Sequence, residues 1–300
     1  MKYLRPGEYG FLLLTSNLGN PDRKPLTVAQ MRDLFQRSEQ MKKSDISRDV
    51  DVYDFVSIGY SPKAAQHIID LLHDELLLQH YLLKARKADC IPVTRATECY
   101  PPSVRRRLGL ESPGTLWAKG DLALLDKPKI SLVGSRDLNP RNAEFAREAG
   151  RQAALQGYVL VSGNARGADK LAQNACLDAG GQVISVVADS LTTHKQKNNI
   201  LYLSENSFDE EFSSQRALSR NRCIHAMGEK VLVAQSSYQH GGTWDGTVKN
   251  LRHHWSNVFC FADGSPAAEL LCQMGANPVA LEQLSDLEAL QGSQDNFLGR

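Results

Sequence analysis

Ile130-Ser131-Leu132-Val133, followed at once by Gly134-Ser135-Arg136, is the stretch that decides the fold. A short continuous apolar run that stops at a glycine reads as a strand covered on both faces. A helix follows from Pro140, with Phe145, Ala149 and Ala153 on one face. The unit then repeats. Tyr158-Val159-Leu160-Val161 is the next strand, and Ala168 to Ala179 a helix that ends at Gly180-Gly181. Val183 to Val187 and Ile200 to Leu203 read as strands, and Ser214 to Met227 as a helix. Val231-Leu232-Val233-Ala234, a helix from Trp244 to His254 and the strand Val258-Phe259-Cys260-Phe261 complete the series. Such alternation predicts an α/β fold: an extended Rossmann-like, doubly wound parallel sheet, preceded by a smaller, mainly helical N-terminal domain. Ligands of these sheets bind at the carboxyl ends of the strands.

Upstream the texture is helical. Thr27 caps a helix through Met31, Leu34 and Phe35, and Gln30 completes a capping box. Ser61-Pro62 opens one longer helix, in which Ala65, Ile68, Ile69, Leu72, Leu76, Leu77 and Leu83 recur at three- and four-residue steps. Lys42 to Asp54 is charged and reads as a solvated connector. Cys90 to Thr94 is a short strand, Tyr100-Pro101-Pro102 a turn, and Arg105-Arg106-Arg107 a solvated basic triplet. The expected organisation is a helical domain over 1–110, the Rossmann-like domain over 111–290, and a disordered tail over 291–300.

Composition narrows the function. With 35 basic against 34 acidic side chains, a nucleic-acid binder of this kind must work through a local patch. No apolar run approaches a membrane span, and Phe11 to Leu14 is too short for a signal-peptide core, so a cytoplasmic protein without membrane contact is expected. The six cysteines include no CxxC pair and read as free thiols; no histidine spacing suits a metal. Neither a metal nor another cofactor is expected.

Three strand ends carry chemistry. Gly134-Ser135-Arg136 offers a close backbone approach, a hydroxyl and a planar fork matched to phosphate oxygens. Ser162-Gly163-Asn164-Ala165-Arg166-Gly167-Ala168-Asp169-Lys170 runs from a strand into a helix N-terminus, a concave array of donors for an anion. Within it Asp169 suits the helix dipole better than it suits general-base catalysis. The third is Gly241-Gly242-Thr243-Trp244, whose tryptophan is a candidate either to stack a base or to pack. Nearby, Arg216 and Arg220 share a helix face with Arg222 well round from it, and one of the three is a candidate to pair with Glu205 or Asp209. The loops match neither GxGxxG nor GxxxxGK[ST], which excludes the usual dinucleotide and P-loop chemistries.

Taken in order, Leu116-Trp117-Ala118-Lys119-Gly120, Ile130 to Arg136, Ser162 to Asp169, Leu203-Ser204-Glu205 and Arg220-Asn221-Arg222-Cys223-Ile224 resemble the DprA/Smf DNA-processing proteins. The resemblance runs from about Ile91 to Ala276. It implies a non-catalytic protein that binds and protects single-stranded DNA and loads a RecA-type recombinase onto it, in natural transformation among other settings, commonly as a homodimer. By the same resemblance, Gly134, Ser135 and Arg136 match the family's phosphate-holding turn. Ser162, Gly163, Arg166, Gly167 and Asp169 match its second loop, and Arg220, Asn221 and Arg222 its third motif. The chain departs from the pattern at Ala168 (usually isoleucine), Gln173 (usually histidine), Leu218 (often proline) and the Gly241-Gly242-Thr243-Trp244 loop. No winged-helix tail of the kind many members carry is expected after the Rossmann-like domain, and together these departures lead us to expect a divergent branch.

Two other readings share the scaffold. A nucleotide hydrolase of the phosphoribohydrolase class carries a proline-glycine-glycine-x-glycine-threonine-x-x-glutamate motif. Here three residues, not one, separate Gly241-Gly242 from Gly246-Thr247, and Asn250 takes the glutamate's place. The carboxylate that would stabilise a developing sugar cation is thereby lost. The third reading is a nucleotide-ligand sensor with the helical region as effector.

Overall fold

The computed structural model describes residues 4–41 and 49–292. Helices α1 (Pro6–Thr15), α2 (Val28–Ser38), α3 (Val52–Ser57), α4 (Pro62–Leu72) and α5 (Glu75–Lys87) come first, then strand β1 (Ile91–Thr94), helix α6 (Pro102–Leu108) and strand β2 (Thr115–Lys119). The alternating series is β3 (Lys129–Val133), α7 (Pro140–Leu155), β4 (Val159–Ser162), α8 (Ala168–Asp178), β5 (Gln182–Val186), β6 (Ile200–Glu205), α9 (Ser214–Met227), β7 (Lys230–Val233), α10 (Gly242–His253) and β8 (Asn257–Phe261). Helix α11 (Pro266–Gln273) and strand β9 (Asn277–Val279) close it.

One nine-stranded sheet has the order β1-β2-β6-β5-β4-β3-β7-β8-β9. Six of its eight pairings are parallel, as the doubly wound sheet expected from the sequence requires, and β1–β2 and β2–β6 are antiparallel, which makes the sheet mixed at one edge. The short strand at Cys90 to Thr94 supplies that antiparallel edge as β1, and β1 and α6 belong to the sheet layers although they precede residue 110. Each edge strand holds a proline, Pro92 or Pro278, which removes a donor where another chain would pair.

The chain winds outward from β3 through β4, β5 and β6, then crosses back to lay β7 on the other side of β3. A topological switch point therefore lies beside the carboxyl end of β3, where open α/β sheets leave a crevice. Strands β3 and β4 are buried throughout and β7 from Val231 onward, with side chains sorted to two faces. Ile130, Leu132 and Leu160 pack with Phe145, Ala149 and Ala172 of α7 and α8; Val133, Val161 and Val231 pack with Ile224, Met227 and Leu251 of α9 and α10.

The N-terminal helices have a core of their own (Met31, Leu34, Phe55, Ile68 and Ile69 among others) and dock on the sheet through Tyr81, Trp117 and Phe208. These rings sit 4.7–5.3 Å apart, and such pairs add about 0.5–1.5 kcal/mol each beyond their buried area. The expected single helix after Ser61 is broken at His73-Asp74. Arg23 is the reason: its Nη2 donates to the Leu71 carbonyl at 2.9 Å and its Nε to the Asp74 carboxylate at 2.7 Å, closing α4 from the side. The charged connector is helical over Val52–Ser57, where the Asp51 carboxylate accepts from Tyr53 N and Asp54 N; residues 42–48 of it lie outside the described residues. Of the predicted tail, 293–300 also lies outside them.

The basic triplet is partly structural. Arg107 donates through Nη1 to the Ala226 and Gly228 carbonyls at the end of α9, and burial lowers its pKa to about 10. Arg105 and Arg106 are both exposed, as the solvated reading expects, although Arg105 also donates to the Arg95 carbonyl and lies over the Tyr100 ring. All six cysteines are free and four are buried. No described helix is long and apolar enough to cross a membrane, and no group of three or more metal-binding side chains occurs among the described residues.

Candidate nucleic-acid interface

The carboxyl ends of β3 and β7 frame a cleft of about 460 Å³ at the switch point. Gly134, Ser135 and Arg136 form one wall, Ala165 and Asp169 another, and Arg220 and Asn221 of α9 with Gly241, Gly242 and Thr243 complete it. Nine of the residues expected to hold phosphate thus come together from four separate segments. The turn after β3 is anchored from β7: Ser135 N donates to the Gln235 carbonyl at 2.9 Å, and the Gln235 side chain spans Asn139 N and the Asp137 carbonyl. Arg136 stands exposed on this braced turn.

The second loop has an internal cause for its shape. Oδ2 of Asp169, in the first turn of α8, accepts from Gly163 N at 3.1 Å and Ala165 N at 3.2 Å and folds the loop back onto the helix. Gly167, at φ +88°, passes against the Ser135 and Arg136 carbonyls, where a Cβ has no room. Burial pushes the Asp169 carboxyl above its ordinary range, against the opposing pull of Arg220 and the two N–H groups.

The Arg220-Asn221-Arg222 run divides three ways. Arg220 is 7% exposed and lies at the cleft floor against the Gly163 main chain, in the space any side chain at 163 would need. Asn221 Nδ2 donates to the Gly242 carbonyl at 3.0 Å and ties α9 to the start of α10. Arg222 turns away and pairs with Glu205 at 3.1 Å, the partnership anticipated for one of the three arginines. Arg216 pairs with Glu210 and also donates to Ser204 Oγ.

Other expected residues stand outside the cleft. The Ser162 hydroxyl faces the core, accepting from Gln173 Nε2 at 2.6 Å, and does not face an anion; β4 is buried through Ser162 itself. Asn164 and Lys170 bond to each other on the surface, and Arg166 pairs with Asp137 at 2.7 Å beside the mouth. Trp244 is 8% exposed and packs in the core, so the packing alternative holds for it.

Three residues here were missed from the sequence. Tyr238 is 50% exposed in the loop leading to Gly241, its ring 6.1 Å from Trp244. Gln235 braces the first loop, as described. His225 lines the floor, fully buried, and burial pushes its pKa down to about 3. An aromatic in the polar run Ser236-Ser237-Tyr238-Gln239-His240 was the legible signal for the first; the other two carry none. Asn250, in the glutamate's place, is spent on the fold, donating to His225 Nδ1 and Ser256 Oγ and accepting from Ser256 N.

Comparison with known proteins identifies a family for the chain. The model of the DNA recombination-mediator protein A family matches residues 92–279. DNA processing protein DprA of Bacillus subtilis is 32% identical over 143 residues, 44% of this chain and 48% of that protein. DprA of Streptococcus pneumoniae is 31% identical over 154 residues, 48% of this chain and 54% of that one. The chain therefore spans about half the length of the curated relatives it matches. The X-ray structure of DprA from Streptococcus pneumoniae superposes with a TM-score of 0.72 at 25% identity, covering 97% of this chain and 100% of that one. A structure of DNA processing protein A from Helicobacter pylori, which bears on that protein's single-stranded DNA binding mode, shares the fold over 63% of this chain and 90% of that one, at 24% identity and a TM-score of 0.54. The matched span contains the whole switch-point cleft and the loops that build it, and the chain belongs to the DNA recombination-mediator protein A family.

Proposed function

We propose that the cleft binds single-stranded DNA through its phosphates, and that the protein is a recombination mediator that protects the strand and helps load a RecA-type recombinase, as a cytoplasmic homodimer. The observation that carries the reading is Arg136, exposed on a turn braced by Gln235, at the edge of a cleft that also receives the N-terminus of α10. A guanidinium fork and free main-chain N–H groups recognise phosphate oxygens and read no base edge. Exposed Tyr238 offers a base a ring to stack on.

The same arrangement supports a binding role over an enzymatic one. Asn250 carries no charge and its amide is occupied, and Asp169 is held by two main-chain N–H groups. Purified protein incubated with a nucleoside monophosphate should release no free base; release that is lost on Asp169→Asn would move the reading to the hydrolase class. The direct test is a titration of fluorescent oligonucleotides. Single strands should bind more tightly than blunt duplex of the same length, with little difference between sequences. Equal affinity for the two forms would count against the proposal.

A further inference from the structure

The floor of the cleft holds a buried cation, Arg220. Arg220 is more than nine-tenths buried, and its Nε has no hydrogen-bond partner among the described residues. On the same helix Arg216 and Arg222 are each paired with a glutamate. Asp169, whose charge acts most strongly on Arg220, has its Oδ2 engaged by Gly163 N and Ala165 N. A guanidinium taken out of water without a matched acceptor costs several kcal/mol, so its presence at a cleft floor calls for an anion arriving through the cleft.

Helix α10 and His225 border the same floor. Helix α10, twelve residues long, begins at Gly242 with no side-chain cap, and its first turn lines the cleft. Its leading N–H groups and dipole favour negative charge there. His225 is held at Nδ1 by Asn250 Nδ2, which leaves the ring proton on Nε2, and Nε2 too has no partner among the described residues.

Shape separates two kinds of phosphate. About 460 Å³ is in the lower part of the usual range of roughly 300–1,000 Å³ for small-ligand sites, room for one nucleotide unit. An internal phosphate has a sugar on each side and crosses the mouth, where Arg136 stands. A phosphate that reaches buried Arg220 needs one side free. Such a phosphomonoester carries roughly −1.5 to −2 at neutral pH, a charge two converging guanidinium groups suit.

We propose that the cleft is a phosphomonoester site, with Arg220 as its deep ligand, that takes the terminal phosphate of a DNA strand or a free nucleoside monophosphate end-on. The inference rests on the reading of the cleft as a phosphate site and adds that it distinguishes ends from interiors.

Oligothymidylates bearing a 5′ phosphate, a 3′ phosphate or neither, and a circular strand, are competed against a labelled strand; thymidine monophosphate and thymidine are compared in thermal melts. One phosphorylated end should bind about tenfold more tightly than the unphosphorylated strand. The preference should vanish in Arg220→Lys, which keeps the charge and loses the fork. Thymidine monophosphate should raise the melting temperature where thymidine does not. That rise without an end preference assigns the site to free nucleotides, and an end preference assigns it to strands. If all four strands compete alike and thymidine monophosphate leaves the melting temperature unchanged, the inference is overturned, while strand binding itself still supports the mediator reading. Thymidine monophosphate binding without strand binding would uphold the phosphomonoester site and overturn the mediator reading. Should Arg220→Lys fail to fold, the wild-type comparisons decide alone.

Discussion

Two buried arginines, one in the helical N-terminal region and one at the cleft, differ in a way that separates scaffold from site. Arg23 is 8% exposed and Arg220 is 7% exposed. Arg23 is satisfied on every side: Nε donates to Asp74, Nη1 to the Ser16 carbonyl, and Nη2 to the carbonyls of Leu13 and Leu71. It locks α1, the loop after it and the end of α4 together. Arg220 has the same burial without that provision, and beside it His225 also keeps an unpartnered nitrogen. Equal burial with unequal satisfaction separates an arginine whose bonds are made within the fold from one whose Nε is left without a partner at the proposed site.

The largest expected effect tests the finished side. Arg23→Met takes the donor from three main-chain carbonyls and the partner from Asp74, and should cost about 3–5 kcal/mol of stability in urea unfolding, with oligonucleotide affinity of the folded protein unchanged. A loss under about 1 kcal/mol would break the comparison, because Arg23 would then not be the staple its bonds describe.

Arg136→Ala tests the mouth, where the side chain is exposed and holds nothing together. Melting should be unaltered, while binding of single strands of every sequence weakens by about 1.5–3 kcal/mol and the log-log salt slope falls by roughly 0.7. Arg136→Lys should restore only part of the affinity. A folded alanine variant with wild-type affinity and slope would place the interface elsewhere.

His225 sharpens the comparison through pH. Its folded pKa of about 3 lies below the ordinary 6.5, so below pH 6.5 the unfolded chain binds a proton that the folded chain refuses. Its contribution is complete above pH 6.5 and is lost as pH falls toward 3, by about 1.4 kcal/mol per unit, or roughly 2 kcal/mol between pH 6.5 and 5. Urea midpoints of wild type and His225→Gln over that interval should show the slope in the first and its reduction in the second. Parallel curves would mean that the ring is not buried as a neutral group.

How much was legible follows from how local each feature is. The strands from Ile130 to Phe261 announce themselves as apolar runs, and Ser214 to Met227 is a helix over the predicted residues, because burial on two faces leaves a mark in every few residues. The helix break at His73-Asp74 left no such mark, since it is set by Arg23, fifty residues away along the chain. The antiparallel edge was equally hidden: β1 and β2 read as strands or motif, but nothing in a strand's own residues states the direction of its neighbour.

The sequence by itself determined the succession of strands and helices, the loops at their carboxyl ends and the kind of chemistry those loops offer, because periodicity and residue type are properties of short segments. Only the tertiary structure decided which donors converge. Arg216, Arg220 and Arg222 are near neighbours on one helix, yet two are consumed by Glu210 and Glu205 and one is left at the floor of the cleft. Ser162 and Ser135 are both serines at strand ends, yet one hydroxyl is buried against Gln173 and the other residue lines the cleft. The physical reason is that a polar side chain's role depends on whether its hydrogen bonds are already made, and the partners that make them come from segments far apart in the chain.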